Sequence, residues 1–297
     1  MNKIVIITYN ILSQNLAQLM INDTTYPIEI INDNFRFDKI ANYLKRSIIK
    51  YSKYNLIICL QEVCEDWLIR LSQLFNSVEY RYINIQHGRA DNGNMGVMIA
   101  YPAKLQINKS EFFNVGQHIK VVNDNSRKAA SKSNIAIFAI FEDPTINLRF
   151  GIITYHMPCA PTIEEIALLH CKSIYTHIKK FMLDIDWIFA GDFNMTQNTL
   201  AYAYMVERLN LGCIYKDTLR HYPITNHSLI LNKEFAGCLD YVFYRKGKIS
   251  KKDSSTIRYI RKGLICDKIK LTKLNNIIPD KYEPSDHIPI VASFIYV

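Results

Sequence analysis

The sequence predicts a single α/β domain, on three observations. Short runs of apolar, β-branched and aromatic residues recur along the chain, and each stops at a polar or charged residue. Between them lie stretches with apolar residues at helical spacing. Phe37, Ile40, Ala41, Leu44, Ile48 and Tyr51 make the clearest stripe, with no glycine or proline inside it. The 297 residues are 49% apolar, enough for a sizeable core, and the 10 glycines and 9 prolines nowhere gather into a linker. No internal repeat or low-complexity tract interrupts the pattern. One domain over residues 1–297 is therefore expected.

In chain order, residues 3–9 (KIVIITY) read as a buried strand that delivers Asn10. Helical spacing is weak from Ile11 to Met20, and Pro27 with the polar run to Asn34 reads as a loop. The helix with the Phe37 stripe follows. Residues 56–60 form a second buried strand ending in Gln61 and Glu62, and a helix over 65–75 carries Trp67, Leu68, Leu71, Leu74 and Phe75 on one face. Strands follow at 78–85 and 95–101, separated by a polar loop. Residues 104–132 hold a short strand at 111–115 and then a basic loop. Residues 135–141 and 148–155 flank Asp143 and Pro144 as a hairpin, and the second strand ends at His156. A helix over 164–182 carries Ile166, Ala167, His170, Ile174, Ile178 and Phe181 in register, so His170 and His177 take structural roles. Residues 187–190 are the next buried strand and run into GDFN, with Asp192 and Asn194. A helix near 199–209, a polar loop with His221 and His227, and a strand over 235–244 containing Asp240 come next. After a basic segment, Asp286 and His287 stand immediately before a final strand over 288–297.

The net charge of +9 is concentrated. Between Arg245 and Lys273 eleven Lys or Arg face two Asp, while the remainder balances 25 basic against 25 acidic residues. Such a local excess suits a phosphate-bearing partner, with Lys246, Lys248, Lys251 and Lys252 as candidate backbone contacts. A solvated lysine-rich loop is the plainer alternative. Only four apolar residues, Ile4 to Ile7, follow Lys3, too few for a secretory core, and no apolar run reaches membrane-spanning length. The seven cysteines, odd in number and without C-x-x-C, then read as reduced thiols. An intracellular, cytoplasmic location with no membrane partner is expected.

The polar strand ends point to one chemistry. In an extended backbone Asp192 and Asn194 share a face while Phe193 takes the other. For G-D-x-N alone, a capping Asp and a turn Asn are the plainer reading. Glu62 and Asp240, however, sit against or within apolar runs, where a carboxylate costs several kcal/mol unless it is paired or holds a metal. Asn10, Glu62, His156, Asp192, Asn194, Asp240, Asp286 and His287 come from at least six segments, and strands in two packed sheets would bring them to one rim. Mostly oxygen donors with no cysteine pairing suit a hard cation, Mg²⁺ or Mn²⁺, rather than zinc.

The succession TYN, LQE, H, GDFN, LDY and SDH resembles the endonuclease/exonuclease/phosphatase superfamily, from Asn10 to His287. The resemblance implies a four-layered α/β sandwich, two facing mixed β-sheets flanked by helices. TYNILSQ and CLQEV further resemble the Angel, Nocturnin and catabolite-repression deadenylase group. FAGCLDYVFY and SDHIPI resemble that group and also the 2′,5′-phosphodiesterase. What the resemblance implies is a hydrolase with two divalent ions. Glu62 would hold one ion with Asn10 and Asp286; Asp192 and Asn194 would hold the second or orient the attacking water. His287, held by Asp240, would contact the scissile phosphate, with His156 as a second contact.

The implied activity is a deadenylase-like 3′-5′ exoribonuclease that takes poly(A) or oligoadenylate RNA and releases 5′-AMP. Phe235 and Pro161 stand where deadenylases clamp an adenine; core packing is the plainer alternative for Phe235. Alternatives that keep the chemistry are a 2′,5′-oligoadenylate phosphodiesterase and an RNA 2′,3′-cyclic phosphatase. A DNA-repair endonuclease is disfavoured by the TYNILSQ start, and a lipid phosphodiesterase by the lack of a membrane-inserting segment. A non-enzymatic RNA-binding relative is disfavoured because all eight polar positions are retained. Where the family has Asn-Thr-His, this chain has Thr154, Tyr155 and His156, so a supporting polar contact there is expected to be missing.

Overall fold

A computed structural model describes residues 3–20, 26–160, 163–230, 233–246, 248–252, 258–262, 264–271 and 277–296. The chain supplies β1 (Lys3–Asn10), β2 (Asn55–Val63), β3 (Tyr80–Gln86) and β4 (Gly96–Pro102), then β5 (Gln106–Asn114), β6 (Ile135–Asp143), β7 (Leu148–His156) and β8 (Trp187–Asp192). After them come β9 (Gly212–Cys213), β10 (Asn226–Ile230), β11 (Lys233–Gly237) and β12 (Asp240–Tyr244). The last are β13 (Lys248–Lys252), β14 (Arg258–Lys262), β15 (Leu264–Leu271) and β16 (Ile290–Tyr296). One six-stranded sheet has the order β15-β16-β1-β2-β4-β3, the other β5-β6-β7-β8-β12-β9. β10 pairs with β11, and β13 with β14, as separate hairpins.

Each large sheet has one parallel pair at its centre, β1 with β2 and β7 with β8. A parallel pair needs a crossover, and the helices Asp33–Lys50 and Glu164–Phe181 supply the two. Side chains alternate across the strands. Ile4, Ile6, Ile57 and Cys59 join Ile152 and Phe189 of the second sheet in one core. Val5, Ile7, Leu56 and Ile58 pack outward on Phe37, Leu44, Trp67 and Leu71 of the helices Asp33–Lys50 and Glu65–Asn76. Cys171, Ile174, Ile178 and Phe181 of the helix Glu164–Phe181 cover the second sheet. The result is the expected four-layered sandwich. Burial on both faces is why these strands read as unbroken apolar runs.

Several elements differ from the sequence reading. A capped helix, Gln14–Leu19, forms where spacing was weak, because Ser13 accepts a hydrogen bond from Leu16 N. The short strand near 111–115 is the longer β5, and the basic loop after it contains the helix Asp124–Ala130. The polar loop with His227 holds β10. The strand expected over 235–244 is two strands, β11 and β12, broken where Thr225 Oγ1 accepts from both Leu239 N and Asp240 N at 2.9 and 3.1 Å. Beyond Lys246 the basic segment is strand rather than loop in its described parts, and β15 forms an edge of the first sheet. His170 is structural: its ring nitrogens lie 2.7 Å from Tyr155 Oη and 3.0 Å from Ala129 O.

Candidate active site

The parallel pairs end level with each other. Asn10 lies opposite Gln61 in the first sheet, and His156 opposite Asp192 in the second. Gly191 allows the second pair to close: a Cβ there would fall 2.0 Å from Tyr155 O. Antiparallel pairing sets Asp240 beside Asp192.

Glu62 reaches the site through a distortion. Its φ is +59°, and the pairing of β2 with β4 shifts register between Gln61 and Val63, the signature of a bulge. A left-handed backbone at a non-glycine residue costs of order 1–3 kcal/mol and persists where surrounding contacts hold it. Here Glu62 Oε2 accepts from Ser13 N at 3.0 Å and Oε1 from Asn10 Nδ2 at 2.9 Å. Leu12 and Asn194, at φ +52° and +45°, share this backbone state at the same rim.

Asn10 Nδ2 also donates to Asp192 Oδ2, at 3.0 Å, so one amide spans two carboxylates from different sheets. The amide oxygen accepts from Leu12 N at 3.0 Å. Asp192 divides its work. Oδ1 accepts from Asn194 N at 2.9 Å, the turn role of the plainer reading. Oδ2 faces Asn10 and also lies 3.6 Å from both His156 Nε2 and His287 Nε2. Asn194 leaves the strand instead of continuing its face, and its Nδ2 donates to Met157 O at 2.8 Å, tying the two loops together.

His287 Nδ1 sits 2.7 Å from Asp240 Oδ2. Burial alone would lower the His287 pKa, but Asp240, Asp192 and Asp286 outweigh it and hold the ring well above its ordinary value. Ser285 Oγ donates to Asn10 O at 2.7 Å and accepts from His287 N at 3.2 Å, joining the last loop to β1. Asp286 is buried beside them, 3.4 Å from Asn226 Nδ2. Burial, with Glu62 and Asp192 nearby, raises its pKa against the pull of His287. His156 Nε2 is 3.8 Å from Glu62 Oε1, while its Nδ1 is buried with no partner among the described residues.

Two groups of ligand atoms fall within 4.8 Å of one another, Glu62 with His156 and Asp192, and Asp192 with Asp240 and His287. Two carboxylates braced by one amide in a buried, oxygen-rich rim fit a hard divalent cation.

The substrate candidates are more scattered. Phe235 is on β11 and 37% exposed, so it is not a core residue. Pro161 lies outside the described residues. Lys246 pairs with Asp217 at 3.6 Å. Lys248, Lys251 and Lys252 lie on β13, and their side chains fall outside the description. The polar contact expected to be missing beside His156 has another form: Gln61 Nε2 donates to Thr154 Oγ1 at 3.1 Å.

Sequence reasoning missed Arg36 and His87. Arg36 is wholly buried, and its guanidinium donates to Pro284 O, Gln14 Oε1, Ile11 O and Leu12 O at 2.8, 2.7, 2.8 and 2.5 Å. It thereby clamps the loops after Asn10 and before Asp286. His87 is buried on the loop after β3, and burial together with nearby His156 lowers its pKa to about 3. Neither had a pattern to find it by, since Arg36 precedes the helical stripe that starts at Phe37 and His87 falls in a polar loop.

The Endonuclease/Exonuclease/phosphatase family model matches residues 7–287. The chain belongs to this family. Membership makes it an enzyme of a hydrolytic class of nucleases and phosphatases. It is 25% identical, over 97% of its own length, to the probable CCR4-Not complex 3′-5′-exoribonuclease subunit Ccr4 of Enterocytozoon bieneusi, and it spans 63% of that protein. Its fold is similar to the human Nocturnin catalytic domain, with a TM-score of 0.69 and 18% identity over 100% of this chain and 95% of that one. It is likewise similar to ANGEL2, a 2′,3′-cyclic phosphatase, with a TM-score of 0.73 and 16% identity over 98% and 95%. Among the described residues no helix is long and apolar enough to cross a membrane.

Proposed function

We propose that this family member is a divalent-metal-dependent 3′-5′ exoribonuclease that shortens adenylate 3′ ends of RNA and releases 5′-AMP. The observation that carries the reading is the rim itself, where Asn10 braces Glu62 against Asp192 and Asp240 holds His287 against the same Asp192 oxygen. The name of the Enterocytozoon relative supports RNA as the substrate and the 3′ end as the point of attack.

Glu62 and Asp192 would hold the cations, Mg²⁺ or Mn²⁺ as two ions, with Asp286 beside them. When bound, these ions polarise the phosphoryl oxygens and an attacking water. The chain's own residues do the rest. His287, held protonated by its carboxylate neighbours, donates to a non-bridging phosphate oxygen where negative charge builds. Asp240 fixes the ring through Nδ1, leaving Nε2 for substrate. His156, whose Nε2 lies 3.6 Å from the same Asp192 oxygen, is the second phosphate contact. Asp192 would orient the water opposite the leaving 3′ oxygen, and Asn194 holds the Asp192 loop in place through Asp192 Oδ1 and Met157 O. Asn10 keeps the two carboxylates at a fixed separation.

The test is a 5′-labelled RNA with a mixed body and a 3′ oligo(A) tail, incubated with Mg²⁺. A ladder that shortens stepwise and stalls at the body supports the reading. Glu62→Ala and Asp192→Ala fold normally and lose at least about 10²-fold in rate, in line with losing a metal site or its activated water. Full activity in either variant refutes the site. An intact tail, with metal binding confirmed, moves the substrate to 2′,5′-linked adenylates or cyclic-phosphate ends.

A further inference from the structure

A cavity lies outside the catalytic rim, on the helix-covered side of the second sheet. It has a volume of about 320 Å³ and is lined by Phe113 of β5, by His118 and Lys120, and by Lys172, His177 and Lys180 of the helix Glu164–Phe181. That is within the size range of small-ligand sites.

Its wall is a three-ring stack. The His118 ring lies 4.4 Å from the buried Phe113 ring at 18°, and the His177 ring lies 4.0 Å from it at 14°. Both imidazoles are nearly parallel to the Phe113 ring. His177 Nε2 lies 3.3 Å from Glu111 Oε2 but makes no hydrogen bond among the described residues. His118 is exposed, so one face of its ring is open.

The charge beside this platform is unbalanced. Among the described residues no carboxylate lies within 4.0 Å of Lys120, Lys172 or Lys180. The hydroxyls are spent, Ser173 Oγ donating to Val115 O at 3.2 Å and Thr176 Oγ1 to Lys172 O at 2.8 Å. An open aromatic face flanked by three ammonium groups matches a planar base that carries phosphate.

The cavity belongs to the same end of the sheet as the catalytic rim. Val115 N donates to Asn134 O, and Asn134 Nδ2 donates to the carbonyl of His156. Strand β5 is three positions from β8 in the sheet order, a lateral distance of about 14 Å at the usual strand spacing.

We propose that this cavity is an accessory nucleotide site, in which His118 stacks a base of the substrate RNA upstream of the cleaved end while Lys120, Lys172 and Lys180 hold its phosphate. The assignment of the strand to RNA rests on the function proposed above; the site itself does not.

Two measurements on the full chain separate these. First, 5′-AMP, adenosine and inorganic phosphate are titrated while the imidazole resonances of His118 and His177 are followed by NMR. The expected result is that 5′-AMP moves both, and that adenosine and phosphate each bind at least about tenfold more weakly, since each has lost the stacking or the charge. His118→Ala should leave only phosphate-like binding, and the exposed triple variant Lys120→Glu/Lys172→Glu/Lys180→Glu should bind none of the three. Resonances that stay fixed with 5′-AMP, or phosphate binding as tightly as 5′-AMP, overturn the site. Second, the triple variant is assayed on a trinucleotide and on a long RNA. A KM raised about tenfold for the long RNA only, with kcat on the trinucleotide unchanged, supports the strand path. Equal kinetics on the long RNA overturn that path. The NMR measurement needs no turnover, so it decides the site even if RNA is not the substrate.

Discussion

His287 and Asp240 form a sealed pair: Nδ1 and Oδ2 are 2.7 Å apart, with the residues 4% and 0% exposed. The second Asp240 oxygen is buried with no hydrogen-bond partner among the described residues. The imidazole is what accounts for placing that carboxylate in an apolar strand. Asp240→Asn keeps the shape but removes the strongest of the three charge interactions that hold His287 protonated. The expected loss is about 10²-fold or more in kcat, within the usual range for removing acid–base function, with a small change in thermal midpoint. Steady-state kinetics beside a melting curve check this, and wild-type kcat would rule out a catalytic role for the pair.

Asn10 offers a different test, because its amide lies between two carboxylates. Asn10→Asp replaces the bridging donor with a third negative charge. The variant should be less stable than wild type without metal, since like charges in a buried rim repel. Added Mg²⁺ should raise its thermal midpoint more than it raises that of the wild type, by linkage to metal binding. Equal metal-induced shifts in the two proteins would argue against a cation at Glu62 and Asp192.

Arg36 makes a structural prediction with a catalytic consequence. Its four acceptors are buried or in loops that carry the site, and its ring-like guanidinium also lies 4.9 Å over Trp67. Arg36→Met strands those acceptors, at a cost of about 1–3 kcal/mol for each one left unsatisfied. Arg36→Lys should recover little, because an ammonium cannot reproduce the planar fork. Chemical denaturation of both variants decides it; a lysine variant as stable as wild type would show that charge alone suffices.

The fold and most of the candidate site were legible because of how this core is built. Where strands are buried on both faces, the polar residue at a strand's end stands out. That is why Asn10, Glu62, His156, Asp192, Asp240 and His287 could be picked from separate segments. The geometry beyond that was not written locally. The left-handed bulge that aims Glu62 depends on pairing with β4 and on Ser13 N. The break between β11 and β12 depends on Thr225, fifteen residues before Asp240. Asn194 turns out of the extended face because Asp192 Oδ1 captures its N–H. Arg36 sits one residue before Phe37 in the helix, and only its long-range partners reveal that it is buried.

The buried histidine that serves structure should set an acid limit. Burial lowers the His170 pKa from 6.5 to about 4. The unfolded chain therefore binds a proton more readily, so His170 contributes stability that is fully present above pH 6.5 and is lost as pH falls through about 4. His87, lowered to about 3, adds a second loss that begins in the same range. His170→Gln should make stability less steeply dependent on pH between 6.5 and 4, whatever its effect at neutral pH. Urea midpoints across that window measure the slope, and an unchanged slope would remove His170 as its source.

Phe235 gives the clearest discrimination among substrates. Its hairpin meets the catalytic loop where Asn226 bridges to His287 and pairs with Gly237. The Phe235 ring lies over Gly237, where a Cβ would come 2.7 Å from its Cζ. A half-exposed aromatic held in place beside the rim is suited to stacking a base. Phe235→Ala removes a ring whose stacking is worth about 1–3 kcal/mol per base, so KM for oligoadenylate should rise about tenfold or more. Stability should change by no more than about 0.5 kcal/mol, as for an ordinary surface position. Gly237→Ala should act in the same direction by displacing the ring without removing it. Kinetics on oligo(A) against a minimal phosphodiester with no base supply the control. If both substrates respond alike, Phe235 supports the rim and does not read the adenine.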